Sequence, residues 1–288
     1  MSLKVLDEVK KIEKPSRMII EITDRCNLGC IHCFANKKDK DLDYMEWQKI
    51  IQNSVDEGVN SISITGGEPL LFPSFFEIFR VIEPKNTKIT LDTNGTLIDE
   101  NNINYLKKYF KLVRVSIYGY EDNECLKITN NKFFRYQKVI DAIKLLSDNN
   151  IKIQVNIPLF NENIKHLDEI IFDLSKYNIY EIVLIPILNI GKAKDMLDIP
   201  TENVAKELFD KYSKKTNLKL RLFKWAEGKH FLVRANGNVY LHPFYVDGKE
   251  TDFYLGNIMN SSIDNLWANV EEKYKIANYT LTPNLDDI

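Results

Sequence analysis

Long apolar runs are missing from this chain. No stretch approaches a membrane span, and Met1–Ser16 is laced with lysine and glutamate where an export signal would carry an apolar core. The expectation is a cytoplasmic protein without a membrane segment. Charge of one sign is missing as well: 39 Lys and Arg stand against 41 Asp and Glu, and a net charge of −2 leaves no electrostatic footprint for nucleic acid. Cysteine and histidine number only four each, and few thiols without an export signal argue against a disulfide-stapled fold. Solenoid repeats and low-complexity tracts are absent. With 288 residues, 44% of them hydrophobic, the chain can build one large domain or one domain with a small appendage.

What cysteine there is lies concentrated. Cys26, Cys30 and Cys33 fall within the run Thr23-Asp24-Arg25-Cys26-Asn27-Leu28-Gly29-Cys30-Ile31-His32-Cys33-Phe34. An odd triplet of thiols on one loop suits a metal centre better than disulfide pairing. A cubane [4Fe–4S] cluster usually takes four cysteines, so three with no fourth nearby leave one iron open to another ligand. The alternative is structural zinc, with His32, His166, His230 or His242 as fourth ligand. Adjacent His32 and Cys33 fit poorly around one tetrahedral ion, and no second C-x2-C pair completes a zinc ribbon.

Apolar runs of strand length alternate with helical patterns through most of the chain. Strands are expected at Met18–Thr23, Ser61–Thr65, Lys88–Asp92, Leu112–Tyr118, Lys152–Pro158 and Glu181–Ile187. Helices are expected at Tyr44–Glu57, Pro73–Ile82, Glu100–Tyr109, Phe134–Asn149 and Ile164–Tyr177, after a lead-in with Val5, Leu6, Val9 and Ile12 on one face. This alternation implies a parallel sheet covered by helices, with chemistry gathered where the strands end. The cysteine loop, Gly66-Gly67-Glu68-Pro69, Asn94-Gly95 and Gly119 all follow strands. Beyond Lys192 the pattern changes to a helix at Glu202–Lys214, a hairpin at Phe231–Phe244 turning on Asn236-Gly237, and a helix near Ser262–Tyr274. The expected organisation is a lead-in over 1–16, a partial (β/α)6 TIM-like barrel over 17–200, and a small α+β appendage over 201–288.

The spacing C-x3-C-x2-C followed by Gly66-Gly67-Glu68-Pro69 resembles the radical S-adenosylmethionine (radical SAM) enzymes. Asp92-Thr93-Asn94-Gly95-Thr96-Leu97 and Val115-Ser116-Ile117-Tyr118-Gly119 resemble that family's third- and fourth-strand motifs. The resemblance implies that Cys26, Cys30 and Cys33 hold one [4Fe–4S] cluster whose open iron takes S-adenosylmethionine. It further implies that Gly66, Gly67 and Glu68 receive the methionine end, that Ser116 contacts the ribose, and that Asn94 lies near the pocket. His32 stands where the family often has an aromatic against adenine. Gln154 and Asn156 share one face of the fifth strand, and Asn156 is a candidate nucleoside contact. Cys125, which follows the fourth strand, is a candidate hydrogen donor to a substrate radical, against its plainer role as a small buried hydrophobe.

Trp225–Tyr240 with Leu255-Gly256-Asn257-Ile258 and Leu266-Trp267 resembles a SPASM-type extension. No cysteine follows Cys125, so an auxiliary cluster is not expected. SPASM-like relatives often act on ribosomal peptides, so the resemblance implies peptide modification, for example epimerisation, with cofactor or sugar-derived metabolite biosynthesis as the alternative. The expected partners are a peptide or small-molecule substrate and a flavodoxin- or ferredoxin-type electron donor. A non-catalytic iron–sulfur or zinc module is the competing class; only the enzyme would cleave S-adenosylmethionine.

Overall fold

The computed structural model describes residues 14–33, 40–187, 192–193, 196, 199–223, 230–242 and 253–270. The lead-in face, Trp225 and the chain's end lie outside the described residues. Among the described residues ten strands form one sheet: β1 Arg17–Glu21, β2 Ser61–Thr65, β3 Lys88–Thr93, β4 Leu112–Ser116, β5 Ile153–Leu159, β6 Glu181–Pro186, β7 Leu220–Leu222, β8 His230–Val233, β9 Asn238–His242 and β10 Tyr254–Asn257. Their order is β10-β9-β8-β1-β2-β3-β4-β5-β6-β7. Strands β1 to β7 run parallel, the curved α/β arrangement of a partial TIM-like barrel.

Alternation along each strand sorts the two faces. Ile62, Ile64, Val113 and Val115 are fully buried towards the helical layer, and each such aliphatic contributes roughly 1.5–3 kcal/mol. Val115 meets Val139 and Ala142 around Gly95, where a side chain would stand 2.9 Å from the valine methyl. The opposite face is polar: Ser63, Thr90, Asp92 and Arg114 meet there across three strands.

The helices are α1 Tyr44–Asp56, α2 Ile103–Tyr109, α3 Asp122–Thr129, α4 Tyr136–Asp148, α5 Leu167–Leu174, α6 Glu202–Lys215 and α7 Ile263–Ala268. Helix α1 opens on a capping box, in which Asp43 accepts from the Met45 and Glu46 amides and Glu46 accepts from that of Asp43. Its Trp47 is fully buried and donates to the Ile22 carbonyl at 3.1 Å, fastening the helix beside the end of β1.

One expectation needs correction. The helix expected over Pro73–Ile82 is a 3-10 helix over Phe75–Phe79, and a further 3-10 turn, Pro69–Leu71, precedes it. A three-residue repeat aligns Phe75 with Ile78 and Phe76 with Phe79, and Phe75 and Phe79 pack edge-on. Helix α3 was not anticipated from its polar sequence, although Glu121 and Glu124 form a capping box that signals its start. Beyond residue 200 the described strands pair with the main sheet. Helix α6 leads into β7, which pairs parallel with β6, and β8 pairs parallel with β1. The Asn236-Gly237 hairpin forms as β8 and β9, with Gly237 at φ +82°.

Candidate active site at the barrel mouth

The cysteine loop leaves the end of β1 and is held from several directions. Gly29 and Ile31 donate their amides to the carbonyls of Thr129 and Ile128 at the end of α3, at 2.8 and 3.0 Å. Asn131 donates to the Asn27 carbonyl at 2.7 Å, and Lys192, beyond β6, donates its amide to the Cys33 carbonyl at 3.1 Å. Asp41 fastens the start of the loop by accepting from the Thr23 hydroxyl at 2.6 Å and the Asp24 amide at 3.0 Å. Cys30 is buried, Cys26 and Cys33 are half-buried, and none is in a disulfide.

The two glycines of Gly66-Gly67-Glu68-Pro69 pack against this loop. A Cβ on Gly66, at φ +137°, would stand 2.4 Å from the Thr23 carbonyl oxygen, and one on Gly67 would stand 2.1 Å from that of Arg25. In place of those methyl groups, Gly67 and Glu68 donate their amides to the same two carbonyls at 2.7 Å each. The missing side chains therefore admit the cysteine-loop backbone.

Glu68 is fully buried. It accepts from the Thr93 hydroxyl at 2.7 Å and from the Asn94 and Leu70 amides at 2.8 and 3.2 Å. Burial pushes its carboxyl up to about 7, against the pull of those hydrogen bonds. The Asn94 side chain donates to Asn27 at 2.9 Å, and Thr96 closes the network by donating to Asn94 and accepting from Asn27. Ser116 lies opposite Asn156 in the register of β4 and β5, and Asn156 accepts from Gln154 at 2.7 Å.

Tyr118 draws these parts together. Its hydroxyl pKa is raised well above the usual value, first by burial and then by Cys30, with smaller contributions from Cys26 and Glu68, while its hydrogen bond to Ser116 pulls the other way. Sequence reasoning did not single out Tyr118, Asn27 or Asp41. Tyr118 was visible only as part of Val115-Ser116-Ile117-Tyr118-Gly119, and Asp41 carries no local signal.

His32 packs edge-on to Phe160 at 5.1 Å and tilted to Tyr118 at 5.7 Å. Burial lowers its pKa to about 4, so the ring is neutral, and among the described residues its Nδ1 has no hydrogen-bond partner. The candidate hydrogen donor Cys125 does not overhang the mouth. It points inward from α3, is fully buried, and donates to the Gly119 carbonyl at 3.4 Å, while burial pushes its thiol up to about 12. It behaves as a small core residue.

Among the described residues, the group of three ligand-type side chains drawn within 4.8 Å of one another is Glu121, Glu124 and His166, not the cysteines. Tetrahedral zinc with bonds of ~2.3 Å would hold its sulfurs about 3.8 Å apart. The wider cysteine triplet suits a larger cluster.

A parallel barrel whose mouth gathers three cysteines, a Gly-Gly turn and a buried glutamate defines a metal-cofactor enzyme. The chain belongs to the radical SAM superfamily, whose family model matches residues 20–174, more than half of its length. Enzymes of this superfamily use a [4Fe–4S] cluster and S-adenosylmethionine. A GTP 3′,8-cyclase of Clostridium acetobutylicum is 31% identical over 210 residues, covering 68% of this chain and 65% of that protein. The antilisterial bacteriocin subtilosin biosynthesis protein AlbA of Bacillus subtilis is 30% identical over 153 residues, 52% of this chain and 34% of that protein. The chain thus spans about one to two thirds of the length of these curated relatives. The crystal structure of Streptococcus suis SuiB bound to precursor peptide SuiA is similar in fold, with a TM-score of 0.80 at 16% identity over 96% of this chain and 70% of that one. No helix among the described residues is long and apolar enough to cross a membrane.

Proposed function

We propose that Cys26, Cys30 and Cys33 hold one [4Fe–4S] cluster, that Gly66, Gly67, Glu68, Asn94, Ser116, Asn156 and His32 seat S-adenosylmethionine, and that the substrate is a peptide. When bound, cluster and S-adenosylmethionine supply reductive cleavage of the sulfonium and a 5′-deoxyadenosyl radical that takes hydrogen from a substrate C–H bond. The observation that carries this reading is the seat of the Gly-Gly turn on the cysteine loop at the strand ends, where Gly67 and Glu68 donate their amides to the carbonyls of Thr23 and Arg25 at 2.7 Å each.

The chain's own residues supply binding, orientation and exclusion of water. Glu68, costly to ionise where it lies, gains most from a cationic partner such as an amine. Neutral His32 offers an aromatic edge beside Tyr118 and Phe160. The peptide reading draws on AlbA, a bacteriocin biosynthesis protein, and on SuiB with its precursor peptide. Since Cys125 is buried, epimerisation loses its candidate donor, and the proposal is hydrogen abstraction from a peptide without that outcome. The GTP 3′,8-cyclase relative covers more of this chain than AlbA and favours, as a second reading, a radical step on a small metabolite. The electron donor is proposed to be a flavodoxin- or ferredoxin-type protein.

Anaerobic reconstitution followed by dithionite and S-adenosylmethionine tests the reading. It expects about four irons per chain and release of 5′-deoxyadenosine, both lost in Cys30→Ala. Binding of zinc alone, or intact S-adenosylmethionine after strong reduction, overturns it. Deuterium transfer from labelled peptides or nucleotides into 5′-deoxyadenosine separates the two substrate classes.

A further inference from the structure

The loops that follow β4 and β5 bring together a second set of ligand-type side chains, none of them in the site described above. Asn163 ties the two loops: it donates to the Tyr118 and Pro158 carbonyls at 2.8 Å each and accepts from the Phe160 amide at 3.0 Å. His166, at the end of the 3-10 turn Ile164–His166, is thereby placed against Glu121 and Glu124 at the start of α3. Ligand atoms of the three residues lie within 4.8 Å of one another. Asp122 beside them is engaged elsewhere, 3.2 Å from Arg135.

Each of the three is held in place. Glu124 is buried, and one of its oxygens accepts from the Tyr120 amide at 3.0 Å. The other stands 2.6 Å from His166 Nδ1. Glu121 is exposed, and the capping box fixes its carboxylate over the first turn of α3. The Tyr120 ring packs tilted against the imidazole at 5.6 Å. When Nδ1 gives its proton to Glu124, the lone pair of Nε2 is left facing Glu121, 3.7 Å from the carboxylate oxygen Oε1. A proton on Nε2 fills this gap poorly, because an N–H···O bond spans about 2.7–3.2 Å. A cation fits it better, since bonds of ~2.1 Å at tetrahedral angles put two ligands about 3.4 Å apart. Metal-bound imidazoles also characteristically carry a carboxylate on their other ring nitrogen, which is where Glu124 stands.

We propose that His166 Nε2 and Glu121, with Glu124 orienting the imidazole, bind one divalent cation of the zinc type, water completing its coordination. Imidazole beside carboxylate selects zinc, copper or nickel over calcium and magnesium, which take oxygen ligands. The site goes beyond the function proposed above and requires neither cluster nor S-adenosylmethionine. Its consequence is mechanical. The cation joins the start of α3 to the loop after β5, and the other end of α3 receives the amides of Gly29 and Ile31 from the cysteine loop.

Zinc also binds free thiolates, so the test uses the full chain carrying Cys26→Ser, Cys30→Ser and Cys33→Ser together. Calorimetric titration with zinc should show saturable binding of one ion per chain. Adding His166→Gln or Glu121→Gln should weaken it at least about tenfold, and adding Glu207→Gln, an exposed carboxylate of α6, should leave it unchanged. Calcium should bind more weakly than zinc. Circular dichroism melts verify folding, and Glu121→Gln carries the test if His166→Gln does not fold. If the serine chain itself does not fold, cobalt(II) titration of the wild type takes its place. It should then show one equivalent that lacks sulfur-to-metal charge-transfer absorption and is lost in Glu121→Gln. The proposal is overturned if no such ion binds saturably, if the folded variants bind it as their parent does, or if calcium binds as tightly as zinc. Release of 5′-deoxyadenosine by the reconstituted wild type stands or fails independently.

Discussion

Gly67 lies so close to Arg25 that a single methyl group on it would stand 2.1 Å from the arginine's carbonyl oxygen. The strand β2 turn and the cysteine loop are thus packed backbone to backbone, and this contact fixes where Cys26 begins. Gly67→Ala should force the loop away, at an overpacking cost of about 1–3 kcal/mol. The expected outcome is a folded protein whose iron content after reconstitution falls well below wild type. Undiminished iron loading would show that the contact does not position the loop.

Glu68 gives the apoprotein a specific pH dependence. Its folded carboxyl titrates at about 7 against an ordinary value of 4.5, so between those values the folded chain holds a proton that the unfolded chain has released. This group's contribution to stability is complete below about pH 4.5 and is lost as the pH rises through about 7, by roughly 3 kcal/mol. Urea unfolding at pH 5 and pH 8 should show this loss in the wild type and not in Glu68→Gln. Parallel pH profiles in the two proteins would refute it.

Asp41 is expected to act at a distance from the cysteines. Its two oxygens hold the Thr23 hydroxyl and the Asp24 amide, and Asp41→Ala leaves both donors without that partner. A destabilisation of about 1–3 kcal/mol should follow, with faster loss of iron to a chelator. Asp41→Asn, which keeps one acceptor oxygen, should fall between the two. Equal chelation rates in all three proteins would remove Asp41 from loop positioning.

Cys125 offers the opposite expectation. Cys125→Ala removes one buried sulfur and should cost about 1 kcal/mol in unfolding experiments. Formation of 5′-deoxyadenosine and turnover of any substrate identified should be unchanged. A variant that forms the nucleoside but accumulates unquenched substrate would restore the donor role.

The residues that announce the chemistry are local in sequence, which is why they could be read early. Cys26, Cys30 and Cys33 lie on one loop, Gly66 to Pro69 on another, and each follows a run of Ile, Val or Thr that reads as a strand. Helix α3 was harder, because its apolar face is only Cys125, Ile128 and their neighbours, and its start depends on an acidic capping pair instead of the usual serine or threonine. The 3-10 turns at Phe75–Phe79 were hidden because apolar residues three apart satisfy either helical period over so short a span.

Sequence by itself determined the order of the first six strands and most of the helices between them, the cysteine loop and the family, since these depend on side-chain identity and on spacing along the chain. Tertiary structure decided the rest. It placed Asp41 beneath the cysteine loop, buried Cys125 under α3, turned Gly67 against Arg25, and carried β7 and β8 into the main sheet. Those relationships join residues that pairing and packing bring together from distant parts of the chain. No local pattern encodes which carbonyl a missing methyl group will admit.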